Sequence, residues 1–346
     1  MKAYYADEQK HHDPKAFLSS GAPQPNPEQP ERVERLLAGA RAAGLEIERP
    51  RDHGLGPIAA VHTPEYLDFL EHIYARWQHI AGASAEVIPN IHPIARGGSY
   101  PASAVGQAGY HMADTACPIS AETFQSACWS AWSAVDAADA VATGSSAAYA
   151  LCRPPGHHAF ADVAGGFCFF NNSAIAAQRL LAGGAERVAI LDVDLHHGNG
   201  TQGIFYARSD VLTVSIHADP VRFYPFFWGH ADERGEGPGL GYNLNLPLPR
   251  KSGDDEFMAA LEPALRRIRA FAPSALVVAL GLDAFEGDPF GGLSVTTPGF
   301  ARMAAAIAGP GMPSVIVQEG GYLCDALGAN LTAFLGAYQS CMTGRT

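Results

Sequence analysis

VAILDVDLHHGNGTQ, residues 188–202, decides how the chain is read. Val188-Ala189-Ile190-Leu191 is a short aliphatic run of the kind that forms a buried strand. The next six residues bring Asp192, Asp194, His196 and His197. Burying a carboxylate is costly unless a positive partner or hydrogen bonds compensate. On an extended chain alternate residues share a face. Asp192, Asp194 and His196 therefore point one way for as long as the extended backbone lasts. Carboxylates and imidazole in this spacing suit a divalent transition metal, zinc or iron(II). A metal-free Asp–His network also explains this stretch taken alone.

The neighbouring segments separate these two readings. AAYALC (147–152), VLTVSI (211–216), ALVVAL (275–280) and SVIVQ (314–318) are further apolar runs that read as buried strands. Helical patterns at 171–183, 254–270, 297–309 and 325–338 separate most of them. This alternation predicts an α/β fold, a single domain with a central parallel sheet sandwiched by helices. In such sheets ligands bind beyond the carboxyl ends of the strands. There the sequence places His157 and His158 in RPPGHHAF, Asp283 in GLDAFEGDP, and Glu319, Gly320, Gly321 and Tyr322 in EGGY. Four chemically capable strand ends are more than solvated loops give by chance. Asp194, His196 and Asp283 together leave a coordination position for water and substrate, as catalytic sites do. A histidine of the PPGHH turn can act as general base and acid, with Asp192 and Asn199 available to hold its second nitrogen. The Tyr322 hydroxyl can stabilise an oxyanion.

Composition bounds the rest. The chain has 346 residues, 47% apolar and 17% charged, with 37 glycines and 25 prolines spread along it. That is enough for a large core with many turns, and no clear domain boundary appears. A net charge of −12 argues against a nucleic-acid partner and suits a cationic ligand. The six cysteines form no CxxC pair, so reduced thiols are expected. The N-terminus has no hydrophobic leader and no apolar run approaches the roughly 18 residues of a membrane span, so a cytoplasmic protein is expected. Residues 17–31 read as an irregular loop. Residues 63–80 read as a helix capped by Thr63, and 123–142 as another. Residues 82–122 read as one long irregular loop, the kind that covers a site or builds an assembly.

RPPGHHA, GGFCFFNN, DVDLHHGNGTQ, GLDAFEGDP and QEGGY resemble the zinc-dependent histone deacetylase superfamily, which has the arginase/deacetylase fold, over about residues 50–340. Within it the chain is most similar to the bacterial acetylpolyamine amidohydrolases. The resemblance implies one zinc ion per chain on Asp194, His196 and Asp283, with iron(II) or cobalt(II) as alternatives. It implies His158 as general base and acid with Asn199 as its partner, and His157 as electrostatic support with Asp192 as its partner. Tyr322 polarises the acetyl carbonyl, and the Gly166 carbonyl accepts from the scissile amide. Phe167 and Tyr224 wall a substrate tunnel. It implies structural potassium near Asp192, Asp194, His196 and Ser215, and again near Phe205, Arg208, Val211 and Tyr242. The resemblance also implies that the 82–122 loop packs in a homodimer or tetramer and narrows the mouth. Asn199 stands where several eukaryotic relatives have Asp, Tyr224 where Phe is common, and Phe17 where polyamine enzymes place an acid. Asp114 is the candidate for a mouth carboxylate.

The activity implied is removal of acetyl groups from small cationic amines. A deacetylase of acetyl-lysine in proteins is the nearest rival, disfavoured by a narrowed mouth. A ureohydrolase needs a binuclear manganese site with more Asp-rich motifs. A non-catalytic binder needs neither His158 nor Tyr322.

Overall fold

The computed structural model describes residues 1–344. In chain order the strands are β1 (Lys2–Tyr4), β2 (Ala16–Ser19), β3 (Ala22–Pro25), β4 (Glu46–Glu48), β5 (Ala147–Ala150), β6 (Val188–Asp192), β7 (Val211–Ala218), β8 (Asn243–Leu248), β9 (Ala275–Leu280) and β10 (Ser314–Gln318). Eight form one sheet in the order β4-β1-β5-β10-β9-β6-β7-β8. Every neighbouring pair in it is parallel. The four strands expected to carry the site, β5, β10, β9 and β6, are consecutive at its centre.

Central strands bury both faces, so their side chains feed two cores. Tyr149, Leu191, Val278 and Ile316 pack with helices Glu31–Ala42, Asp254–Phe271, Thr297–Ala308 and Leu327–Thr343. Ala148, Ile190, Val277 and Val317 pack with helices Thr123–Ala142 and Asn172–Ala182 on the opposite face. Each large aliphatic side chain so buried stabilises the fold by about 1.5–3 kcal/mol. All six cysteines are free. Among the described residues no helix is long and apolar enough to cross a membrane.

Two loop expectations are corrected. Residues 17–31 are not wholly irregular, because β2 and β3 pair as an antiparallel hairpin. The 82–122 segment contains a helix, Ala104–His111, capped by the Ser103 hydroxyl. The helix Pro64–Trp77 begins as expected, with the Thr63 hydroxyl accepting the Tyr66 amide.

Candidate active site

β6 ends at Asp192, so the strict alternation stops there. Asp192 turns to His157, and its Oδ2 lies 2.9 Å from Nδ1. Asp194 and His196 instead meet Asp283 from the end of β9. His196 Nδ1 lies 3.2 Å from Asp283 Oδ2 and 3.4 Å from Asp194 Oδ1. One donor atom from each of the three falls within 4.8 Å of the others. Asp194 and Asp283 are fully buried. Burial and the neighbouring Asp194 push Asp283 upward, the signature of two carboxylates crowded around space that suits a cation. Gly320 closes the trio's back, and its amide donates to Asp194 Oδ2 at 2.8 Å. A Cβ there would sit 2.3 Å from Asp283 Oδ2, so only glycine fits. One nitrogen and two carboxylates in this cradle fit a divalent transition metal.

The two adjacent histidines differ in electrostatics. Burial lowers His157, but Asp194 and Asp192 outweigh it and hold its pKa at about 10. Burial and the positive His157 and His196 push His158 well below its ordinary value. His158 Nδ1 is 2.7 Å from Asn199 Oδ1, so Nδ1 donates and Nε2 keeps its lone pair. Glu319 holds the turn that carries both. Its carboxylate accepts the Gly156 amide at 2.6 Å, the His157 amide at 3.0 Å and the Ser173 hydroxyl at 2.8 Å.

Above this floor lies a cavity of about 420 Å³ lined by Phe17, Phe167, Tyr224, Gly166, Asp114 and Tyr322, among others. All five residues expected to bind substrate therefore sit on one cavity with His157, His158 and Tyr322. Burial pushes the Tyr322 phenol well above its ordinary value, which keeps it a hydrogen-bond donor. Phe290 packs on Tyr322 with ring centres 4.6 Å apart, and Phe223 stacks on His196 at 5.1 Å. The Gly166 carbonyl accepts only a weak bond from the Cys168 thiol, at 3.3 Å. Asp114 is already bonded to Tyr224.

Of the residues expected around potassium, Asp194 and His196 line the catalytic cavity, whereas Asp192 and Ser215 line a second, smaller one. Sheet register pairs Asp192 with Ser215, and a small polar cavity lies beside both. Buried polar atoms without protein partners, His197 Nδ1 and Asn245 Oδ1, belong to residues that line it. Phe205 ends the helix Asn199–Phe205, Val211 opens β7, and Tyr242 precedes β8. Arg208 donates its amide to the Phe205 carbonyl within the same connection.

Three supporting residues carried no role in the sequence. Glu319 stood in plain view in EGGY. Asp288, in GDP, accepts the amides of Tyr322 and Phe290 at 2.9 Å each, and burial and Asp283 push it up to about 7. Arg32 lay in a segment with no chemical signal, yet it donates to the carbonyls of Gly321 and Glu319.

A histone deacetylase domain model matches residues 26–338. The acetylpolyamine amidohydrolase of Burkholderia pseudomallei is 49% identical over 339 residues, spanning 98% of each chain. Acetylpolyamine amidohydrolase 1 of Pseudomonas aeruginosa is 45% identical, spanning 98% of this chain and 99% of its own. The crystal structure of the acetylpolyamine aminohydrolase from Burkholderia pseudomallei superposes with a TM-score of 0.95 at 48% identity, covering 99% of both chains. The chain belongs to the histone deacetylase family, a family of metal-dependent deacetylases and amidohydrolases.

Proposed function

We propose that the protein hydrolyses the acetyl amide of slender acetylated amines, acetylpolyamines such as acetylputrescine and acetylcadaverine, with one zinc ion per chain at Asp194, His196 and Asp283. The convergence of that trio with His158 and Tyr322 at the floor of one aromatic-walled cavity carries the reaction. The names of the relatives supply the substrate class. When bound, a divalent ion at the trio supplies Lewis-acid polarisation of a carbonyl and lowers the pKa of adjacent water.

The chain's own residues do the remainder. His158 Nε2 accepts a proton from the attacking water, because Asn199 fixes the proton on Nδ1 and burial keeps the ring neutral. The same nitrogen then returns a proton to the departing amine. His157, held cationic by Asp194 and Asp192, stabilises negative charge beside it. The Tyr322 hydroxyl donates to the oxygen that becomes an oxyanion. The Gly166 carbonyl accepts from the scissile amide, and Phe167 and Tyr224 hold the stem. Potassium beside Asp192 and Ser215 and near Phe205, Arg208, Val211 and Tyr242 is part of the same proposal. So is a homodimer through the 82–122 loop, whose Ile91 and Ile94 are 61% and 107% exposed.

The test is turnover of acetylputrescine, acetylcadaverine, an acetyl-lysine peptide and an acetylated folded protein, with metal content measured in parallel. The expected result is best turnover on the diamines, lost on chelation, with about one divalent ion per chain. Better turnover of the folded protein would make the enzyme a protein deacetylase. Two required manganese ions would make it a ureohydrolase.

A further inference from the structure

The cavity's lining has two carboxylates, Asp194 at the floor and Asp114 at the rim. The rim carboxylate is already engaged. Its Oδ2 accepts the Tyr224 hydroxyl at 2.7 Å and the Gly166 amide at 3.1 Å. Its Oδ1 accepts the Ala116 amide at 2.8 Å. A carboxylate offers about four lone-pair sites, so these three donors fill Oδ2 and leave one site, on Oδ1. Burial pushes the Tyr224 phenol well above its ordinary value, and the hydroxyl stays a donor.

These bonds also shape the wall. Phe167 has φ +66, a region that residues other than glycine seldom adopt. The preceding amide, of Gly166, is tied to Asp114, and the Phe167 amide donates to the Ala116 carbonyl at 3.0 Å. Asp114 thus fixes the turn that presents Phe167, and Phe17 packs edge-on against that ring at 5.7 Å. The remaining charge at the rim is Arg222, exposed and in no ion pair among the described residues. An unpaired guanidinium at the mouth repels an ammonium rather than attracting it.

The geometry points to Tyr224 as a specificity-determining residue: its hydroxyl caps Asp114, so the cavity selects acetylated amines by the fit of an apolar stem to aromatic walls, not by pairing Asp114 with a distal ammonium. The inference rests on the amidohydrolase reading above and deepens it. Phenylalanine at this position keeps the ring and releases one lone pair of Asp114 toward the cavity.

The experiment compares kcat/KM for N-acetylputrescine with that for N-pentylacetamide, its neutral isostere. Wild type, Tyr224→Phe and Tyr224→Phe/Asp114→Asn are measured with both compounds at several salt concentrations. The neutral compound reports any general damage, so the ratio isolates the charge. Tyr224→Phe raises the cation-to-neutral ratio about fivefold, the upper end of what partly exposed ion pairs give. The gain shrinks as salt rises and disappears in the double variant. A ratio unchanged in Tyr224→Phe, or raised equally in the double variant, overturns the capping role and leaves the amidohydrolase reading standing. Failure of wild type to hydrolyse either compound overturns both.

Discussion

Replacing Arg32 with methionine separates support of the catalytic turn from support of the core. Arg32 is fully buried. Its Nε donates to the Gly321 carbonyl at 2.6 Å, and Nη2 donates to the Glu319 carbonyl at 2.9 Å. Nη1 pairs with Glu28, which also accepts from Arg153 Nε at 2.9 Å. The guanidinium lies 4.9 Å from the centre of the Tyr322 ring. Methionine retains most of the stem's packing and removes every donor. Breaking a buried ion pair from one side costs about 3–5 kcal/mol, because the other charge stays in the core. Arg153 remains beside Glu28, which places the loss near the lower end, about 3 kcal/mol. With an unfolding entropy of about 2.1 cal/mol/K per residue, a chain of 346 residues loses roughly 1.4 °C per kcal/mol, so calorimetry reads a fall of about 4 °C in Tm. Turnover of acetylputrescine, measured well below the new Tm, falls by about tenfold or more because the Gly320–Tyr322 turn is no longer held. A variant that loses the stability but keeps wild-type turnover refutes the link from Arg32 to Tyr322. A variant as stable as wild type refutes the burial accounting itself.

Tyr322→Phe keeps the ring above Arg32 and removes only the hydroxyl. Turnover falls about 10²-fold with metal content unchanged by elemental analysis, whereas loss of metal would mark Tyr322 as structural. His158→Ala lowers turnover by about 10²-fold or more, and a near-normal rate in that variant removes His158 as the proton acceptor. In the helix Thr123–Ala142, burial pushes Asp136 up, but bonds from Arg51 and His53 override it and hold the carboxyl below its ordinary value. A depressed folded pKa stabilises the protein above the unfolded value of about 4, and that contribution disappears as pH falls through the depressed value. Arg51→Ala therefore flattens the acid limb of urea midpoint against pH, and an unchanged limb shows that Arg51 does not hold Asp136.

The interior was legible where burial on both faces left one reading. ALVVAL and SVIVQ become β9 and β10 residue for residue, with every position buried. The strands at and next to the sheet edges gave no such signal. β1 and β4 are three residues each, and β8 alternates buried and half-buried positions with a proline inside. The helix Ala104–His111 escaped notice because it holds Gly106 and Gly109, which propensity assigns to loops. Packing explains the second glycine, since a Cβ at Gly109 would lie 1.9 Å from the Ile91 carbonyl oxygen.

The site divides in the same way. Asp194, His196 and Asp283 could be read because each follows an apolar strand and several such strand ends carry carboxylates or imidazoles together. The partnership of Asp114 could not, because it joins residues 110 positions apart in two loops. Sequence presented Asp114 as a free acid at the mouth, and Tyr224 as a phenylalanine with one added hydroxyl. In the fold these two observations are a single bond, in which the added hydroxyl occupies the acid. Phe17, standing where an acid was expected, points the same way, since its ring packs against Phe167 on the same wall. A cavity that replaces one acid with an aromatic ring and caps another with a phenol has shifted recognition from charge toward shape. The chain's net charge of −12 therefore says nothing about the mouth, where Arg222 is the uncapped charge.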